Sequence, residues 1–176
     1  VLADDDIVYP SDWLKKLYEA YQKEPNVIHA RVTYRIFVKG LFYYWLRRHF
    51  LSFTEEVPPS LLYVPIARMG VLYPPHILPK EAVCSDIAMQ FAPYDDEIWC
   101  WVMMILGGAK IHPLKGGWKD LQELTLAHPL AGRPVEMCTL FGLALTDTYS
   151  TVREILIKEE QTFPNAPFFP LEGPGV

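Results

Sequence analysis

The stretch Val1-Leu2-Ala3-Asp4-Asp5-Asp6-Ile7-Val8-Tyr9-Pro10-Ser11-Asp12-Trp13-Leu14 decides how the rest of the chain is read. Val1 to Ala3 has the character of the last residues of a buried strand. Three consecutive aspartates end that apolar run. Ile7 to Pro10 then leads to Ser11, whose hydroxyl suits it to accept a hydrogen bond from the first amides of a helix. Trp13, Leu14, Leu17, Tyr18 and Tyr21 recur at helical spacing, with Lys15, Lys16, Glu19 and Lys23 on the other face. Pro25 stops that helix. A strand end, an acidic turn and an amphipathic helix in succession predict an α/β fold, a mixed sheet of short strands with helices packed on it.

The rest of the chain fits one domain. It has 176 residues, 16 basic against 21 acidic, for a formal net charge of −5. That balance argues against a nucleic-acid-binding surface, which is basic. With 51% hydrophobic and 21% charged residues, global disorder is excluded. The longest uncharged apolar run, Ile98 to Ala109, falls short of the roughly 20 residues a membrane-spanning helix needs. The 16 prolines imply a loop-rich chain. Cys84, Cys100 and Cys138 form no C-x-x-C pair, so they read as reduced core cysteines in a cytosolic protein. No signal-peptide pattern is visible. The opening residues read as the middle of a fold, so the chain is expected to be a piece of something longer. Residues 1–162 are expected to form one domain and 163–176 a Pro/Gly-rich tail.

Further along, the β-branched run Val27 to Ile36 predicts a strand. Leu41 to Phe53 is crowded with aromatics and reads equally as a helix or an irregular lid. Leu61 to Val64 and Gly70 to Tyr73 predict short strands. Asp95 or Asp96 heads a helix whose face is Trp99, Val102, Met103 and Leu106, and Gly107-Gly108 ends it. Ala109 to His112 is a short strand. Weak helices are expected near 118–127 and 134–145, and a last helix runs from Asp147 or Thr148 to about Glu160.

Three places could carry chemistry. Two carboxylates spaced as Asp4-x-Asp6 at the carboxyl edge of a strand can share a hard divalent cation, which takes oxygen ligands and keeps places open for phosphates. The bland alternative is an acidic turn. Asp95-Asp96-Glu97 opens a helix, where acids are favoured by the dipole in any case. Three in a row exceed what capping requires, and one could be a general base aimed at a hydroxyl. His112 could be a third metal ligand, although a lone histidine is more often a structural residue; His128 is a weaker candidate still. Neither G-x-G-x-x-G nor a P-loop occurs.

The segment Leu2 to Pro10 with Trp13-Leu14 resembles the D-x-D segment of bacterial GT-A-type glycosyltransferases, of the family-2-like set that builds capsular and lipopolysaccharide sugars. Gly70-Val71-Leu72-Tyr73-Pro74-Pro75 is similar to a loop of those proteins. Ala92-Pro93-Tyr94-Asp95-Asp96-Glu97-Ile98-Trp99 is similar to their late acidic motif. The three segments occur in series over positions 1 to 112, and beyond that the likeness is thin.

The resemblance implies metal-dependent transfer of a sugar from a nucleotide-diphosphate donor to a saccharide hydroxyl. It implies that Asp4 and Asp6, with Asp5 between them, hold Mn²⁺ or Mg²⁺ against the diphosphate, with His112 as the candidate third ligand. It implies an acceptor-activating base among Asp96, Glu97 and Asp95, in that order of preference, and inversion by single displacement. Tyr73 and Trp99 are the expected substrate contacts. A cytoplasmic location at the inner face of the cell membrane goes with such a role. In that family the donor's base and ribose rest on strands upstream of D-x-D, and the residues here start at that motif. The chain is therefore expected to self-associate through open strand edges and to transfer little sugar alone. Two other readings compete: a non-catalytic interaction piece, and a HAD-like phosphatase in which Asp4 is the nucleophile and Asp6 the acid.

Overall fold

The computed structural model describes residues 1–5, 7–35, 50–51, 56–92, 96–115, 122–123 and 147–162. In chain order its elements are β1 (Ile7–Val8), α1 (Trp13–Lys23), β2 (Ile28–Ala30), β3 (Thr33–Arg35), β4 (Phe50–Leu51), β5 (Tyr63–Pro65), β6 (Val71–Leu72), α2 (Ser85–Phe91), α3 (Asp96–Gly107), β7 (Ile111–Pro113), β8 (Gln122–Glu123) and α4 (Asp147–Thr162). Two 3-10 turns, Ala67–Met69 and Lys80–Val83, flank β6 and α2. The fold is mixed α/β, as the sequence predicts.

The main sheet is built around β2. It pairs antiparallel with β6 and parallel with β7. On the far side of β6, Leu2 exchanges both backbone hydrogen bonds with Val71. The residue order across the sheet is therefore Leu2, β6, β2, β7, and finally Ser60, which bridges Ile111. Two antiparallel steps make the Leu2 segment run parallel to β2, but it contributes a single bridge where the sequence predicts a strand end, and Asp4 follows that bridge. Burial there is not as expected. Leu2 is 41% exposed, because only one side of that segment is covered.

Side chains alternate across a strand. Ile28, Ala30, Val71 and Ile111 share one face and belong to a single buried cluster with Trp101, Val102, Met104 and Ile105 of α3 and Val152 and Leu156 of α4. His29, Leu72 and His112 share the other face. There α1 packs on β2 and β6. Helix α3 is buried at Trp99, Trp101, Val102, Met103, Met104 and Ile105, and only Leu106 of its expected face is exposed. It is wedged between β5, α2 and α4, so more than one stripe is covered. Helix α1 shows the opposite correction. Leu17 is buried, whereas Leu14 and Tyr18 are exposed.

The run 27–36, read as one strand, is two. β2 ends at Ala30, the chain bends at Arg31–Val32, and β3 enters a second antiparallel sheet of order β4-β3-β5. The bend is held by Arg31 N–H donating to Gly70 carbonyl and by Ile66 N–H donating to Val32 carbonyl. Gln122–Glu123, inside the expected helix 118–127, instead pairs antiparallel with Ile7–Val8. Helix α2 has no clear signature in the sequence. The expected helix 134–145, the tail 163–176, His128, Cys138 and the aromatic stretch other than Phe50–Leu51 lie outside the described residues.

The last helix is anchored by one carboxylate. Glu159 Oε1 accepts from Ser60 Oγ (2.9 Å) and Leu61 N–H (3.3 Å), and pairs with Lys110 Nζ (3.1 Å). Those contacts tie α4 to the strand bridge at Ser60–Ile111, where the two sheets meet.

Candidate functional site

Asp4 and Asp5 are exposed, at the turn that follows Leu2. Asp6 lies outside the described residues. The turn is fastened by Tyr9. Its hydroxyl accepts from the Asp4 amide (2.8 Å) and donates to the Arg68 carbonyl (2.5 Å). The Tyr9 ring stacks on Trp13 with centroids 4.5 Å apart. Trp13 in turn lies against Gly70, where an added Cβ would stand 3.2 Å from two ring carbons. Gly70 also has φ +96°, a conformation that suits glycine. Neither Tyr9 nor Gly70 stands out in the sequence as more than a strand or loop residue. Each acts through a partner about 60 residues away.

The start of α1 differs from its sequence signature. Asp12, not Ser11, precedes the helix, and no side-chain cap forms. Asp12 pairs with Lys16 (2.9 Å). The Lys16 hydrogen bond holds its carboxyl below the usual range, with a weaker pull from the Arg31 charge.

The late acidic motif arrives at the same turn from the other side. Asp96 is the first residue of α3. Glu97 Oε1 accepts from the Ala67 amide at 2.7 Å. The Ala67–Met69 turn is thus bonded at Ala67 by Glu97 and at Arg68 by the Tyr9 hydroxyl that also holds Asp4. These links and a two-residue step of at most ~3.6 Å per residue keep the Asp4 amide within about 15 Å of the Glu97 carboxylate. Both groups lie beyond the carboxyl ends of the parallel strands, the place where open α/β sheets bind ligands. Asp95 lies outside the described residues.

The other expected site residues fall elsewhere. Trp99 is 6% exposed and donates its indole N–H to Ala82 carbonyl (2.9 Å), so it sits in the core. Tyr73 is half-buried and packs against the main core. His112 is not brought to Asp4. It sits on β7, three strand spacings of ~4.8 Å from the Leu2 segment. Its Nδ1 is bonded to the Glu24 carboxylate. Among the described residues, no group of three or more His, Cys, Asp or Glu side chains is placed to hold a metal ion. Among the described residues, no helix is long and apolar enough to cross a membrane.

Comparison with protein-family models, with curated proteins and with solved structures gives no match to this chain.

Proposed function

We propose that this chain carries the metal and acceptor half of a glycosyltransferase site of the GT-A type. The observation that supports the reading is the shared Ala67–Met69 turn. Glu97 accepts from Ala67 of that turn, and Tyr9, whose hydroxyl also accepts from the Asp4 amide, donates to the neighbouring Arg68 carbonyl.

Asp4, exposed just after the Leu2 bridge, and Asp6, two positions on in the sequence, are the proposed ligands of Mn²⁺ or Mg²⁺, a hard cation that takes carboxylate oxygens and also binds phosphate oxygens. His112 is left out of this set because of its distance from Asp4. When bound, the cation offsets the charge of the departing diphosphate. Asp96, at the amino end of α3, takes the proton from the acceptor hydroxyl. Glu97, the second choice for that role, is directed to the Ala67 amide and holds the start of α3 on the turn. Tyr9 holds the Asp4 turn on the neighbouring carbonyl. With one base and no covalent intermediate, the transfer inverts the anomeric carbon.

The test is calorimetric titration of the chain with a nucleoside diphosphate, with and without Mn²⁺. The expected result is binding that requires Mn²⁺ and is lost in Asp6→Asn, with the far-ultraviolet spectrum unchanged. Binding that is independent of Mn²⁺, or equal in the variant, overturns the metal assignment. Hydrolysis of a generic phosphate monoester with Mg²⁺ would instead favour the phosphatase reading.

A further inference from the structure

Away from the acidic turn, one residue at the end of α1 grips two strands at once. The Glu24 carbonyl accepts from His29 Nε2 on β2 (3.0 Å), and the Glu24 carboxylate bonds His112 Nδ1 on β7. The two histidines are register partners across the parallel β2–β7 pair, with ring centroids 5.8 Å apart. His29 is fully buried. The bond to a carbonyl places the proton of its neutral ring on Nε2. Nδ1 is then left as a buried lone pair with no hydrogen-bond partner among the described residues.

We propose that Glu24, His29 and His112 form a proton-operated clamp that holds the carboxyl end of α1 on the sheet at neutral pH and releases it in mild acid. A proton added at His29 Nδ1 creates a buried cation whose new N–H has no acceptor among the described residues. Every neighbouring element bears on that ring. Glu24, from the end of α1, offers one carboxylate. His112, from β7, offers a second imidazole, whose charge opposes another on His29. Leu72, from β6, is apolar. One carboxylate then faces two imidazoles, and water can solvate the new cation only if the clamp opens.

The direction of the linkage agrees with this geometry. Burial, the largest influence, holds His29 below its ordinary 6.5, the Glu24 hydrogen bond raises it, and the charge of His112 lowers it. A lowered value in the folded state means stabilisation that is complete above 6.5 and lost as the pH falls below it. Because α1 carries Trp13 at its other end, stacked on the Tyr9 that holds Asp4, release would also loosen the acidic turn.

The experiment is amide hydrogen exchange, corrected for intrinsic rates, on the whole chain between pH 7.5 and 5.5. Amides of α1 should lose protection over that interval, by at most roughly tenfold, the ceiling for a group with an ordinary value of 6.5 when released and a lowered one when held. Amides of α3 should stay level. His29→Gln keeps a donor near the Nε2 position and cannot take the proton, so its α1 protection should be independent of pH. Retention of the pH dependence in His29→Gln, or parallel loss in α1 and α3, overturns the clamp. Should that variant fail to fold, nitrogen NMR of the wild-type histidines decides. The clamp requires the Nε2–H tautomer of His29 at pH 7.5 and a held ring that is still neutral at the pH where α1 protection begins to fall. The Nδ1–H tautomer, or protonation of the held ring with α1 protection unchanged, overturns it.

Discussion

Replacing Gly70 by alanine tests the chain of contacts that positions the acidic turn. The backbone there has φ 96° and ψ 111°, a region that a residue with Cβ occupies only with strain. Such strain costs of order 1–3 kcal/mol. The new methyl would also stand 3.2 Å from Cε3 and Cζ3 of Trp13. The ring is backed by Tyr9 and must shift by a few tenths of an ångström, an overpacking cost of about 1 kcal/mol. The total, about 2–4 kcal/mol, is a large part of the ~5–15 kcal/mol that holds a typical domain together.

Urea denaturation followed by tryptophan fluorescence is the assay. With a slope of about 2 kcal/mol/M, the midpoint should fall by roughly 1–2 M. A cycle with Trp13→Leu separates the two causes. If the ring contact matters, the penalty of Gly70→Ala should be smaller by about 1 kcal/mol in the Trp13→Leu background. A midpoint shift below about 0.3 M would refute the strain argument. Strict additivity in the cycle would refute the contact between Gly70 and Trp13.

Tyr9→Phe removes the hydroxyl that accepts from Asp4 and donates to Arg68. We expect a loss of about 1–2 kcal/mol, read as a fall in melting temperature of roughly 2–8 °C; an unchanged melting temperature would mean that water replaces both bonds at no cost. Burial, opposed by the Arg35 charge, pushes the Tyr63 phenol up to about 12. The stabilisation from keeping it neutral is complete below pH 10 and lost as the pH rises towards 12. The phenolate absorbance missing from Tyr63→Phe should therefore appear near pH 12, and a step near pH 10 would show the ring to be solvated.

Parts of this protein are legible in its sequence because they depend on local physics. The periodicity of Trp13 to Tyr21 and the proline after it define α1. The acids before Ile98 and the Gly107-Gly108 pair define α3, and Gly108 does adopt a positive φ of 70°. Asp147 opens α4 in the expected place. The α/β class follows from the alternation of these helices with short β-branched runs.

Partners distant in sequence settle the rest. Ile28 to Arg35 carries no Gly or Pro to mark a break, and hydrogen bonds with Gly70 and Ile66 hold the bend that divides it between two sheets. Gln122–Glu123 has no strand character of its own and becomes one by pairing with Ile7–Val8. Glu97 has the composition of a candidate base, but its direction depends on Ala67, which the sequence places 30 residues away. His112 reads as an available ligand in isolation, and β7 sets it beside His29 and Glu24 instead. A helix closes its hydrogen bonds within four residues, so its own sequence specifies it. A strand, a buried carboxylate or an imidazole takes its role from whichever group the fold brings opposite, and only the tertiary structure decides that.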